Sequence, residues 1–256
     1  MLVLTLALFS FVVPEEKKIT IFMIGDSTMA DKNLDKENQE RGWGQALPMH
    51  LQGNIVVDNH AQNGRSSKSF IDEGRWDKVL NSINPGDYVF IQFGHNDEKA
   101  DEARHTDPHT SFAANLTRFI RETKAKGGNP VIYNSIVRRK FVDGVLTDTH
   151  GEYINVPEQV AKAEGVPFVN ANAVTHKLVE AFGDEASKRM FMWIEPGKYE
   201  FCPNGKHDDT HLNVLGADIV SDLLIRATVK EVPALAPYVK PEVNVEVKPT
   251  DVPAER

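Results

Sequence analysis

Residues 19–24, Ile-Thr-Ile-Phe-Met-Ile, form a nearly unbroken apolar run rich in β-branched side chains, and Gly25-Asp26-Ser27-Thr28 follows at once. A run of this kind suits a strand buried on both faces of a parallel sheet. Because it ends in Gly-Asp-Ser, it delivers a serine hydroxyl to the carboxyl edge of the sheet, where open α/β folds place their ligands. Ser27 is therefore the candidate nucleophile. Taken alone, the triplet is also ordinary turn chemistry, and serine is a common helix cap. The rest of the chain has to decide between these readings.

The arrangement recurs. Residues 54–59 read as a second strand running into Ala61-Gln62-Asn63-Gly64-Arg65-Ser66-Ser67, then a helix over 70–83 stopped by Asn84-Pro85-Gly86. Residues 87–93 are a third buried strand, followed by Gly94-His95-Asn96-Asp97 and an amphipathic helix over 110–126 closed by Gly127-Gly128. Strands at 130–136 and 166–170 flank a helix around 156–164, and helical segments follow near 173–182 and 184–193. A loop at 195–206 leads through His207-Asp208-Asp209-Thr210-His211 into a last helix over 212–230. Five strands alternating with helices predict an α/β fold with a parallel sheet covered on both faces.

Composition excludes several classes. The chain of 256 residues is 41% hydrophobic, enough for a sizeable core, and its net charge of -8 with no long basic run argues against a nucleic-acid partner. A single cysteine, Cys202, rules out an internal disulfide and a cysteine-based metal site. Residues 2–13 are apolar or small. That run is short for a bilayer span but matches a signal-peptide core, though without a basic flank or a clear cleavage site; a buried first strand or helix is the other reading. From residue 231 the composition turns to Pro, Val, Glu and Lys, which reads as an extended tail in which the alternating stretch 243–247 has the pattern of an edge strand.

The polar clusters fall at strand ends or at a helix start, hence at one edge of the predicted sheet. Acyl transfer needs a nucleophile, a base, a group that orients the base, and donors aimed at the developing oxyanion. Ser27 supplies the first, His211 the second, and Asp208, three residues earlier, the third. The Ser27 N–H, the Gly64 N–H and the Asn96 amide are candidates for the oxyanion hole. Singly, each has a plainer reading: a turn glycine, a loop asparagine, a solvated histidine, an acid at a helix start. Their joint order points to chemistry, with hydrolysis falling in acid as His211 protonates. The histidines at His105-x3-His109 and His207-Asp208-x-x-His211 suggest metal-dependent hydrolysis instead, but fall short of a recognised ligand spacing.

Gly25-Asp26-Ser27, Gly64 within Asn63-Gly64-Arg65-Ser66-Ser67, Gly94-His95-Asn96-Asp97 and Asp208-x-x-His211 resemble the four signature blocks of the SGNH (GDSL-type) hydrolases. Gly-Asp-Ser-Thr, Gly42-Trp43-Gly44-Gln45, Gly-Arg-Ser-Ser and Gly-His-Asn-Asp resemble one branch, the rhamnogalacturonan acetylesterases. The resemblance implies a flavodoxin-like three-layer α/β/α sandwich on a five-stranded sheet, with the catalytic domain at 18–230 between a signal-peptide-like 1–17 and the tail 231–256. It implies no metal or organic cofactor, a periplasmic or secreted location without membrane insertion of the mature chain, and an acetylated acidic polysaccharide as substrate. It gives Ser27, Asp208, His211, Gly64 and Asn96 the roles named above. Arg65, Lys68 and Arg75 are candidates to attract galacturonate carboxylates, and Trp43, Trp193 and His95 to contact sugar. An acetylesterase for xylan or another glycan, a lipid or thioester hydrolase, and a catalytically silent carbohydrate-binding protein are the alternatives.

Overall fold

The computed structural model describes residues 18–242, so the apolar segment 1–17 and the stretch 243–247 lie outside the described residues. The chain begins with β1 (Ile19–Gly25), α1 (Trp43–Ala46), β2 (Ile55–Asn59), α2 (Ser67–Asp72) and α3 (Arg75–Ser82). It continues through β3 (Tyr88–Gln92), α4 (Ala113–Ala125), β4 (Asn129–Tyr133), the short β5 (Phe141–Val142) and β6 (Val145–Leu146), then α5 (Val156–Glu164) and β7 (Phe168–Val169). It closes with α6 (Ala171–Ser187), β8 (Phe191–Ile194), β9 (Lys206–Leu212) and α7 (Val214–Glu231).

Successive side chains of a strand point to opposite faces, and β1 fills two cores in this way. Ile21 and Met23 pack with Trp43 of α1, Val179 of α6 and Leu224 of α7. Phe22 and Ile24 pack with Phe70 of α2, Trp76 of α3, Phe119 of α4 and Val160 of α5. The helices thus form two layers around a five-stranded parallel sheet of order β2-β1-β3-β4-β7. Strand order reverses between β1 and β3, and a crevice opens beyond the carboxyl ends of strands at such a switch point. Ser27 follows β1 and Asn96 follows β3, so they flank that crevice; Gly64 follows β2, beside β1.

Several elements differ from the sequence expectation. The helix expected over 70–83 is two, because Gly74 adopts a left-handed φ of 65° between them. Residues 184–193 are not one helix: α6 ends at Ser187, and Phe191–Ile194 is β8, paired antiparallel with β9. His207 to His211 therefore sit on a strand rather than at a helix start, a strand whose polar sequence carries no apolar alternation to betray it. The tail expected from residue 231 is described only as far as residue 242. Its first part turns back onto the domain, with Leu235 buried, the Gln52 N–H donating to Tyr238 O at 2.8 Å and the Lys240 N–H to His50 O at 2.9 Å. Among the described residues no helix is long and apolar enough to cross a membrane.

Gly42 and Gly44 are required by close packing. A Cβ on Gly42 would lie 2.3 Å from Ala30 O, and one on Gly44 2.6 Å from Met29 O. Gly42→Ala is expected to destabilise the protein by about 1–3 kcal/mol through overpacking against backbone that has nowhere to retreat. An unchanged Tm by calorimetry would contradict this.

Candidate active site

The turn after β1 is built by Asp26. Its fully buried carboxylate accepts the Thr28 N–H at 2.9 Å and the Thr28 hydroxyl at 2.8 Å, while its carbonyl accepts the N–H groups of Met29 and Ala30. Burial works to raise the Asp26 pKa, but the facing His95 and the bonds from Thr28 outweigh it and hold the group at about 2. A buried chain backs this turn: Trp43 Nε1 donates to Gln92 Oε1 at 2.7 Å, and Gln92 Nε2 donates to Thr28 Oγ1 at 2.7 Å. Ser27 is thereby held at the mouth of the crevice, half-buried.

His211 Nε2 lies 2.8 Å from Ser27 Oγ, and His211 Nδ1 lies 2.7 Å from Asp208 Oδ2. The spacing Asp-x-x-His has a local cause. Asp208 Oδ1 accepts the N–H groups of Thr210 at 2.8 Å and His211 at 3.0 Å, which curls the end of β9 so that the other carboxylate oxygen meets the imidazole. Partial burial would raise the Asp208 pKa; the bonds from His211 and the two backbone donors prevail and hold it well below the usual carboxylate range. An ionised Asp208 selects the imidazole tautomer with its proton on Nδ1, leaving Nε2 free to accept the serine proton.

The three donors expected of an oxyanion hole stand on the loops that follow β1, β2 and β3. Among the described residues, neither the Ser27 N–H nor the Gly64 N–H is taken up by a backbone carbonyl. Gly64 has a φ of 76°, in the left-handed region that favours glycine. The Asn96 amide spends one N–H on Arg65 O at 3.0 Å and has a second to give. Asp97 binds the two loops together, accepting the Ser67 hydroxyl at 2.5 Å, the Ser67 N–H at 3.1 Å and the Thr106 hydroxyl at 3.0 Å. Burial pushes Asp97 up to about 7 against those bonds. A hydroxyl paired with an imidazole, an orienting carboxylate and uncommitted donors are the parts that nucleophilic acyl transfer uses.

The model of the GDSL-like Lipase/Acylhydrolase family matches residues 23–219. The chain belongs to that family. Rhamnogalacturonan acetylesterase RhgT of Bacillus subtilis (strain 168) is 39% identical to this GDSL-like hydrolase over 210 residues, 82% of this chain and 89% of that protein. Probable rhamnogalacturonan acetylesterase YesY of the same organism is 32% identical over 207 residues, 80% of this chain and 90% of that protein. Among solved structures, the Bacillus subtilis protein YxiM shares the fold with a TM-score of 0.72 at 24% identity, over 85% of this chain and 57% of that one.

Within the GDSL-like hydrolase, two expected sugar contacts are displaced. Trp43 is 1% exposed, in the core beneath the nucleophile turn, and its indole N–H is committed to Gln92. A buried ring has no face to offer a sugar, so Trp43 is structural. His95 is 3% exposed and packs edge-on against His150 at 4.6 Å. Burial lowers its pKa to about 4, against the pull of Asp26, so a neutral imidazole fills the floor of the site.

Trp193 is half-buried, stacked on His207 at 4.4 Å, with its N–H on Asp209. Alternation along β9 puts His207 and Asp209 on the face away from Asp208, and Trp193 follows them. It edges a wide surface groove with Lys188, Tyr199 and Asn213, which neither Ser27, Asp208 nor His211 lines. Arg65, Lys68 and Arg75 are partly exposed but already paired: Glu73 serves both arginines, and Asp72 lies 3.5 Å from Lys68. Ser66 and Ser67 also prove structural, Ser66 as the cap of α2. Lys32, Glu40 and Lys206, which the sequence did not single out, converge on the site.

Proposed function

We propose that this GDSL-like hydrolase is a serine esterase that removes O-acetyl groups from plant cell-wall polysaccharide, with rhamnogalacturonan as its substrate. The observation that carries the chemistry is the hydrogen-bonded series Ser27, His211, Asp208, at 2.8 and 2.7 Å. The names of the relatives at 39% and 32% identity support the substrate. Action outside the cytoplasm is part of the reading, and the apolar run at 2–13 supports it.

In this mechanism Ser27 Oγ attacks the acetyl carbonyl carbon while His211 Nε2 takes the hydroxyl proton. The oxyanion forms among the Ser27 and Gly64 N–H groups and the second Asn96 N–H; each such donor contributes about 2.7–4 kcal/mol in comparable sites. Collapse expels the sugar oxygen, which takes the proton from His211 and leaves acetyl-Ser27. Water then repeats the sequence, giving its proton to His211 and releasing acetate. No step calls for a cofactor.

The test is acetate release from acetylated rhamnogalacturonan and acetylated xylan, side by side at equal acetyl content. Faster release from the pectic polymer is expected. Equal or xylan-favoured release would keep the serine chemistry and replace the substrate with a broader class of acetylated glycan.

A further inference from the structure

Lys206 Nζ lies 3.1 Å from Asp208 Oδ2, the same oxygen that faces His211, and 2.8 Å from Glu40 Oε2. Glu40 Oε1 lies 3.0 Å from Lys32 Nζ, and Lys32 Nζ in turn donates to Ser27 O at 2.6 Å and to Asn63 Oδ1 at 2.5 Å. The contacts close a ring from Ser27 through Lys32, Glu40, Lys206, Asp208 and His211 back to Ser27. Its charges alternate in sign. The ring draws on two parts of the chain: the connection from β1 to α1, which carries Ser27, Lys32 and Glu40, and β9, which carries Lys206, Asp208 and His211. The Glu40 segment is seated beside β9 by a bridge to Asn213 and by the Arg41 N–H on Leu212 O at 3.0 Å.

We propose that Glu40 and Lys206 are positioning residues for the hydrolysis, setting the pH at which His211 stops accepting the serine proton, while Lys32 holds the nucleophile turn to the loop of Gly64. This rests on the serine-esterase reading. The charged groups facing His211 are Asp208 and Lys206 on its own strand and Glu40 from the loop before α1, with Lys32 behind Glu40. Lys206 withdraws part of the negative field that Asp208 turns on the imidazole, and Glu40 offsets Lys206.

All three outer members keep their charges. Burial would raise Glu40, but Lys32 and Lys206 bring it below its ordinary range; burial would lower Lys206, but Glu40 and Asp208 raise it. Lys32 is lowered by burial against the pull of Glu40. Its side chain is 3% exposed, and its three ammonium protons match the three acceptors named above.

Opposite displacements of the acid limb separate this role from a merely structural one. Lys206→Gln leaves the site more negative, so the imidazolium forms more readily and the limb moves up by ~0.5–1 pH unit, the scale of a unit charge in a half-exposed site. Glu40→Gln leaves Lys206 and Lys32 unbalanced, and the limb moves down by a similar amount. The double variant, which removes one charge of each sign, returns the limb close to its original position, and Lys206→Arg keeps it there. The experiment is kcat/KM against pH for acetate release from phenyl acetate by the full chain, with Tm recorded for each variant and Ser27→Ala as the reference. Shifts in one direction for both single variants, or no shift in either, while Ser27→Ala is inactive would overturn the ring's role and leave the esterase reading intact. A fully active Ser27→Ala would remove that reading, and the ring's role with it.

Discussion

Ser27→Ala is expected to lower kcat for acetate esters by about 10⁶, the size of loss seen when a serine nucleophile is removed from a complete triad. The fold should not register the change. The groups that fix the turn are the Asp26 carboxylate, Thr28 and the backbone of Ser27, whose carbonyl stays available to Lys32. The hydroxyl itself bonds to His211 at the surface of the crevice and supports no core contact. What activity survives should come from the oxyanion donors acting on a water molecule, which the substitution leaves in place. Steady-state hydrolysis of phenyl acetate, with circular dichroism to verify folding, checks both halves of the expectation.

Asp208→Asn is expected to cost about 10⁴ in kcat, with a folded protein. The asparagine oxygen can still accept from Thr210 and His211 and keep the local curl of β9. Its amide nitrogen then faces His211 Nδ1 where a carboxylate oxygen stood at 2.7 Å. An N–H there makes Nδ1 the acceptor and puts the imidazole proton on Nε2, so the nitrogen beside Ser27 Oγ has no lone pair for the serine proton. The same amide turns a donor toward the Lys206 ammonium, which loses its partner at 3.1 Å. A loss below tenfold would mean that Asp208 does not set the tautomer of the base.

The parallel sheet was legible because its central strands β1, β3 and β4 are largely buried on both faces and read as mostly apolar runs, closed by glycine or polar punctuation. The same signal placed Ser27, Gly64 and Asn96 at one edge. Asp208 and His211 were legible as residues but not as parts of a strand. β9 reads Lys-His-Asp-Asp-Thr-His-Leu, and its strand character comes from pairing with Phe191–Ile194 rather than from any pattern of its own. Trp43 misled for a related reason. An aromatic ring with a polar N–H looks the same in sequence whether it meets a sugar or a buried glutamine, and Gln92 decides it only after β3 lies beside β1. The ion-pair ring was out of reach altogether. Glu40 and Lys206 are 166 residues apart, and each alone reads as a solvated surface charge.

The central claim is that Ser27 carries the acyl group. The most direct measurement is mass spectrometry of the protein after treatment with a fluorophosphonate, which reacts with a serine activated by a neighbouring imidazole. One adduct per chain is expected, on the peptide that contains Ser27, with acetate-ester hydrolysis lost in proportion to labelling. An adduct on another residue, or an unlabelled Ser27 in an enzyme that has lost its activity, would contradict it.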